Sequence, residues 1–358
     1  MLPKQMRAVR FYGPGDLRVE DVPLPSLKPG DLLVRVEAVG ICATDRKILA
    51  RGHFKIGPES RPRILGHEIV GKVVVTGEQT RGFSEGQRVA IAPNVGCGTC
   101  SECLVGDVHL CRDYQAFGIS MDGGMAEFIR IPEKAVRAGN VIPLPNDVSD
   151  AEAALSEPLA CCYNSLIVCR LQPGENLLVV GAGAMGLMHV ALGRCMGANR
   201  VLLVGRTPER LQRGKALGAD VVLEEDVPDL DRHLMDWTDG RGADVVVVTV
   251  PSAELAARAI GWAARKGRVN LFAGMPSGHD VVCFRANPIH YGQVTITGTT
   301  GANAVHLRRV IGLLAARLLP TQQLITARLP LARAHDAFAW ANSPEHVRVQ
   351  LVPHDSAE

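Results

Sequence analysis

Aromatic residues make up only 4% of this 358-residue sequence, and neither sign of charge dominates, with 39 Lys and Arg against 37 Asp and Glu. Aromatics this sparse exclude a base-stacking platform. A formal net charge of +2 argues against binding nucleic acid or a membrane surface through bulk electrostatics. A membrane-spanning run is also missing. The longest uncharged apolar stretch, Leu177–Gly193, is interrupted by glycines and a histidine, which reads as a buried strand, turn and helix. The first residues, MLPKQMRAVRF, lack the apolar centre of a signal peptide. The expectation is a cytoplasmic protein that acts on a small molecule, with no nucleic-acid or membrane partner.

What the sequence does hold is core-forming material. Hydrophobic residues are 47% and charged residues 21%, so a packed globular fold is expected and global disorder is excluded. The length suggests two domains. The first 150 residues carry short β-branched runs, Leu32–Val36, Val70–Val75 and Arg88–Ile91, separated by turns such as Lys28-Pro29-Gly30. Later the pattern changes. Leu177–Gly183 reads as a buried strand entering a glycine turn, and a helix follows to Met196. Val201–Gly205 is a second strand, and a helix opens at Thr207-Pro208-Glu209 and stops at Gly218. Asp244–Val250 and Gly267–Gly274 are further strands, with AELAARAIGWAAR as the helix between them. This alternation predicts an α/β, doubly wound parallel sheet.

Ten cysteines need a reason. Four of them, Cys97, Cys100, Cys103 and Cys111, form C-x2-C-x2-C-x7-C. In a reducing compartment such clusters hold metal more often than disulfides. Four thiolates close a tetrahedral shell, so a structural Zn²⁺ with no open position is expected there. The bacterial ferredoxin spacing is absent. The remaining cysteines read mostly as small buried residues.

Gly181-Ala182-Gly183-Ala184-Met185-Gly186 is G-x-G-x-x-G, placed after a predicted strand and before a predicted helix. The first glycine allows the turn, the second lets a pyrophosphate approach, and the third lets helix and strand pack closely. An NAD-specific site places a carboxylate about 20 residues on, for the ribose 2′-OH. Here that place reads Val204-Gly205-Arg206-Thr207, with Arg210 one turn further. Gly205 leaves room and Arg206 offers a cationic fork suited to a 2′-phosphate, so NADP(H) is expected over NAD(H). A merely solvated Arg206 is the alternative.

Cys42, His67, Glu68 and Glu157 can form an open zinc site that keeps a position for substrate, although spacing alone does not prove it. Order adds to the reading. GICATD, GHEIVGKVV, the four-cysteine lobe, SEPLACC and VVGAGAMGLM occur in sequence, and together they resemble the zinc-dependent medium-chain alcohol dehydrogenases of the sorbitol (polyol) and threonine dehydrogenase branch. The resemblance spans Met6 to Pro353. It implies a GroES-like β-rich catalytic domain (1–154) with a structural zinc lobe (94–113). A Rossmann dinucleotide-binding domain (155–296) and a C-terminal return to the catalytic domain (297–358) follow. It further implies two zinc ions per subunit, with the catalytic one on Cys42, His67 and Glu68 and with Glu157 ligating or holding the bound water. Thr44 relays the substrate proton. The cofactor set extends to Ala184, Met185, Ala273, Gly274, Met275, Thr299 and Thr300, and the assembly is a homodimer or homotetramer.

Threonine dehydrogenases place a relay histidine three residues beyond that threonine. Here the residue is Lys47, which counts against threonine as substrate and leaves Lys47 as relay or as solvated charge. The implied reaction is hydride transfer between NADP(H) and a secondary alcohol or ketone on a polyol, cyclitol or sugar, in a cleft that excludes water. Lys47, Phe54, Phe117, Glu157 and Asn287–Tyr291 are expected to line it. An NAD-dependent amino-alcohol dehydrogenase and a catalytically silent nucleotide-binding relative are the alternatives.

Overall fold

The structure, a computed structural model, describes residues 2–354. The backbone divides into two units. Of the described residues, one comprises those up to Ala160, Ala302–Arg317 and those from Ile325 on; the other comprises Cys161–Gly301 and Leu318–Leu324.

The first unit is β-rich and GroES-like. Its central strand, Leu32–Gly40, pairs antiparallel with Glu68–Thr76, Phe128–Ile131 and Arg348–Val352. The sheet runs in the order Val141–Pro143, Arg88–Ile91, Glu68–Thr76, Leu32–Gly40, Arg348–Val352, Ile325–Pro330. The last two strands come from the chain's far end, so the C-terminal segment returns to this unit. Val34, Val36 and Val39 on the central strand pack with Ile69, Val73 and Leu351 in one buried cluster. Each such side chain contributes roughly 1.5–3 kcal/mol by leaving water. The register sets Gly40 opposite both Glu68 and Gln350, which fixes where the functional side chains of the neighbouring strands meet.

The second unit is a Rossmann sheet of six parallel strands. Their order is Val221–Glu224, Arg200–Gly205, Asn176–Val180, Ala243–Val248, Ala263–Leu271, Thr295–Gly298. The inner strands LLVV, VLLV and VVVV are buried along nearly their whole length, as parallel strands covered on both faces are. Strand order reverses between Asn176–Val180 and Ala243–Val248, which places a ligand crevice beyond their C-terminal ends.

Some boundaries differ from the expectation. The helix expected over 253–265 stops at Trp262, because Ala263 turns extended and pairs with Ala243. The expected break at 154 falls in the turn just before the helix Ser156–Val168, whereas the division falls inside that helix, after Ala160. Thr295–Gly298 closes the parallel sheet, so this unit extends to Gly301, and Leu318–Leu324 groups with it as well. Among the described residues, no helix is long and apolar enough to cross a membrane.

Candidate active site

Cys42 caps the start of the helix Ala43–Arg51 in extended conformation. Its N–H donates to Oδ2 of Asp45 at 2.9 Å. The same buried carboxylate uses Oδ1 to accept the Gly66 N–H at 3.2 Å and stands 3.5 Å from Nδ1 of His67. Asp45 therefore ties the helix start to the Gly66-His67 turn. With Nδ1 facing Asp45, Nε2 is the nitrogen left for a metal, an arrangement by which a carboxylate fixes ligand orientation. Glu68 follows at the start of its strand. One ligand atom each of Cys42, His67 and Glu68 lies within 4.8 Å of the others. The Glu157 carboxylate is not in that group; it is buried at 8% exposure and acts on the charge of Arg348.

The trio favours a cation. Burial disfavours a charged imidazole, yet Asp45 and Cys42 outweigh it and hold the pKa of His67 well above its usual value. Burial likewise works against the Arg348 guanidinium, but Glu68, Cys42 and Glu157 raise its pKa. Oε1 of Glu68 is buried without a hydrogen-bond partner, a costly state for a carboxylate oxygen. Thiolate, imidazole and carboxylate are a fitting donor set for zinc with an open position.

The lobe is a separate cluster. The sulfurs of Cys97, Cys100, Cys103 and Cys111 lie within 4.8 Å of one another, and none of the ten cysteines is joined in a disulfide. Zinc–sulfur bonds of about 2.3 Å in a tetrahedron set sulfurs roughly 3.8 Å apart; Cys97 and Cys103 stand 3.9 Å apart. The N–H groups of Thr99 and Cys100 point at the Cys97 sulfur at 3.4 and 3.3 Å. With the Thr99 hydroxyl they lower its pKa to about 6, which favours the thiolate a metal needs.

The dinucleotide fingerprint shows a division of labour among its glycines. Gly181 sits at φ +110°, and a Cβ there would meet Oγ1 of Thr249 at 2.6 Å. At Gly186 a Cβ would come within 1.8 Å of the Gly181 carbonyl, whereas at Gly183 it would meet open space. Turn, packing and an open approach for phosphate are thus separated as the motif requires. Thr249 holds the turn by donating its hydroxyl to the carbonyls of Val180 and Gly181 at 2.9 and 3.1 Å. Gly205 closes its strand, and Arg206, Ala273–Met275 and Thr299–Thr300 follow the C-terminal ends of theirs. Thr299 donates to Asn270 at 3.1 Å.

Gly205 has a reason of its own: a Cβ there would lie 2.5 Å from that of Ala182. The side chain of Arg206 is 83% exposed, 3.9 Å from Glu225. Arg210 is partly buried in the helix Pro208–Ala216.

Thr44 is half-buried on the second residue of its helix, with exposed Lys47 one turn on. Phe54 is exposed and lies against His53. Phe117, expected to line the substrate site, is instead buried in the core with Met125 and Ile64. Asn287–Tyr291 lie on the helix Ala286–Gly292 of the second unit. Sequence reasoning missed Asp45, Thr249 and Arg348. The GICATD run contains Asp45, but nothing local marks Arg348, whose partner is 280 residues away.

Residues 28–146 match the family described as alcohol dehydrogenase GroES-like domain, and residues 184–316 the zinc-binding dehydrogenase family. Sorbitol dehydrogenase of Bacillus subtilis is 29% identical over 358 residues, covering 98% of both chains. L-threonine 3-dehydrogenase of Pyrococcus horikoshii is 31% identical over 303 residues, covering 84% of both. A zinc-binding dehydrogenase from Sinorhizobium meliloti, solved bound to NADP, superposes with TM-score 0.90 at 31% identity, covering 98% of this chain and 100% of that one. A dehydrogenase from Escherichia coli complexed with NADH superposes with TM-score 0.88 at 26% identity, with the same coverage.

Proposed function

This chain belongs to the zinc-dependent medium-chain alcohol dehydrogenases, in the sorbitol and threonine dehydrogenase-like branch, and from that premise we propose that it moves hydride between NADP(H) and a secondary alcohol or ketone of a polyol, cyclitol or sugar. The observation that carries the reading is the convergence of Cys42, His67 and Glu68, with Asp45 holding the first two.

Zinc held by that trio supplies Lewis acidity, which makes a substrate hydroxyl easier to deprotonate, and the dinucleotide supplies the hydride acceptor. The remaining work falls to the protein. Asp45 fixes the ring of His67. Arg348 holds Glu68 by donating to its Oε2, and Glu157 adds negative charge nearby. The Thr44 hydroxyl passes the proton outward, with Lys47 next along its helix. A second zinc in the four-cysteine lobe is structural. The fingerprint turn holds the pyrophosphate at a helix N-terminus. Arg206 supports the choice of NADP(H), as does the NADP bound to the Sinorhizobium meliloti relative.

The relatives named L-threonine 3-dehydrogenase favour a second reading, an amino-alcohol substrate, and the NADH bound to the Escherichia coli neighbour favours NAD(H) with it. A cofactor-reduction screen of zinc-loaded protein against polyols, cyclitols, sugars and amino alcohols, with each dinucleotide, separates the two. Turnover of polyols or cyclitols with NADP⁺ supports the first reading; turnover confined to amino alcohols with NAD⁺ overturns it.

A further inference from the structure

His189 is fully buried in the helix Ala184–Cys195 that follows the fingerprint turn. Its Nδ1 lies 2.8 Å from the carbonyl of Met185. A carbonyl can only accept, so Nδ1 carries the hydrogen and Nε2 is the bare nitrogen. That Nε2 is buried without a hydrogen-bond partner. The Cys162 thiol reaches the same carbonyl at 3.5 Å. The ring also meets Phe272 edge-on, with centroids 4.7 Å apart and planes at 82°. Phe272 leads directly into Ala273-Gly274-Met275.

A buried polar nitrogen without a partner costs free energy, so packing alone would be better served by leucine. What the imidazole adds is a link between two segments of the dinucleotide cradle. A side chain that bonds back to the carbonyl four residues earlier competes with the helix and can bend it. Here that carbonyl belongs to Met185, a residue of the G-x-G-x-x-G motif in the first turn of the helix. We propose that His189 is a positioning residue for the dinucleotide, setting the fingerprint turn through Met185 and the Ala273–Met275 segment through Phe272. This rests on the reading that both segments hold the cofactor. Arg206 stands at a different strand end. His189 therefore acts on parts that NAD⁺ and NADP⁺ share, and its loss weakens both alike.

The test is titration of zinc-loaded protein with NAD⁺ and with NADP⁺, followed by fluorescence or calorimetry, and by the KM for each. His189→Leu is expected to weaken both by about tenfold, the effect of losing one buried hydrogen bond. Their ratio stays unchanged and KM moves more than kcat. His189→Asn keeps an amide donor near the Nδ1 position and is expected to recover most of the loss; His189→Phe keeps the ring and not the donor. Wild-type affinity for both dinucleotides in a folded His189→Leu protein overturns the proposal. If that variant does not fold, equal affinity in the Asn and Phe variants overturns it. Failure of the wild type to bind either dinucleotide overturns the cofactor reading itself.

Discussion

Glu68 and Arg348 form a buried ion pair across three neighbouring strands, with 1% and 4% of each residue exposed. The strand between them presents Gly40, where a Cβ would come 1.8 Å from Oε2 of Glu68 and 3.1 Å from the guanidinium. The pair exists because that position is glycine. Removing one partner leaves a buried charge uncompensated, at a cost of about 3–5 kcal/mol. Zinc beside Glu68 would compensate the carboxylate in place of the guanidinium. Arg348→Met is therefore expected to lower the stability of metal-stripped protein more than that of zinc-loaded protein, and Arg348→Lys to recover part of the loss. Denaturant unfolding of both forms reads this directly. Gly40→Ala is expected to disturb the same pair without touching either charge.

The two cysteine sites should respond differently. Cys100→Ser and Cys42→Ser are each expected to reduce bound zinc from two to one. Only the first should lose much stability, because structural zinc contributes folding free energy on the order of 10 kcal/mol in isolated fingers. Elemental analysis paired with thermal unfolding separates them.

Acid should weaken the second unit through His189. Burial pushes its pKa down to about 4, against the bond to Met185, whereas an unfolded histidine titrates near ~6.5. Above pH 6.5 both states are neutral at this site and the full stability is present. As pH falls from 6.5 toward 4 the unfolded chain gains the proton first, and about 3 kcal/mol is lost. His189→Leu is expected to flatten that part of the profile. The measurement is the wild-type minus variant unfolding free energy at pH 7, 6 and 5.

Arg206→Leu is expected to lower kcat/KM for NADP⁺ by about tenfold or more, the value of one charge-assisted contact, and to leave NAD⁺ nearly unchanged. Replacing Gly205 with Asp is a poorer test, since any Cβ there collides with Ala182. Equal effects on both dinucleotides would contradict a 2′-phosphate role for Arg206.

Much of this was legible in the sequence because the signals were local. The four-cysteine spacing, the glycine fingerprint and the apolar parallel strands each declare themselves within about 15 residues; the strands expected over Val201–Gly205 and Asp244–Val250 recur within two residues of those ends, whereas the one expected over Gly267–Gly274 runs Ala263–Leu271. What was not legible is contact between distant segments. Arg348 reaches Glu68 only because the chain's end returns beside Leu32–Gly40. Phe117 reads as a substrate-site residue by its type, but the chain after Gln115–Ala116 places it in the core cluster with Met125 and Ile64. The role of Gly205 was half visible: its lack of a carboxylate shows in the sequence, its collision with Ala182 only in the packing.

The most direct test is turnover against zinc stoichiometry. Metal-stripped protein is reloaded stepwise, and NADP⁺ reduction with a substrate from the polyol and cyclitol panel is followed at each step, beside Cys42→Ser. Activity is expected to stay near zero while the four-cysteine lobe fills, to rise in proportion to the second equivalent, and to remain absent in Cys42→Ser at any loading. Full activity in stripped protein, or in zinc-loaded Cys42→Ser, would contradict a catalytic zinc on Cys42, His67 and Glu68.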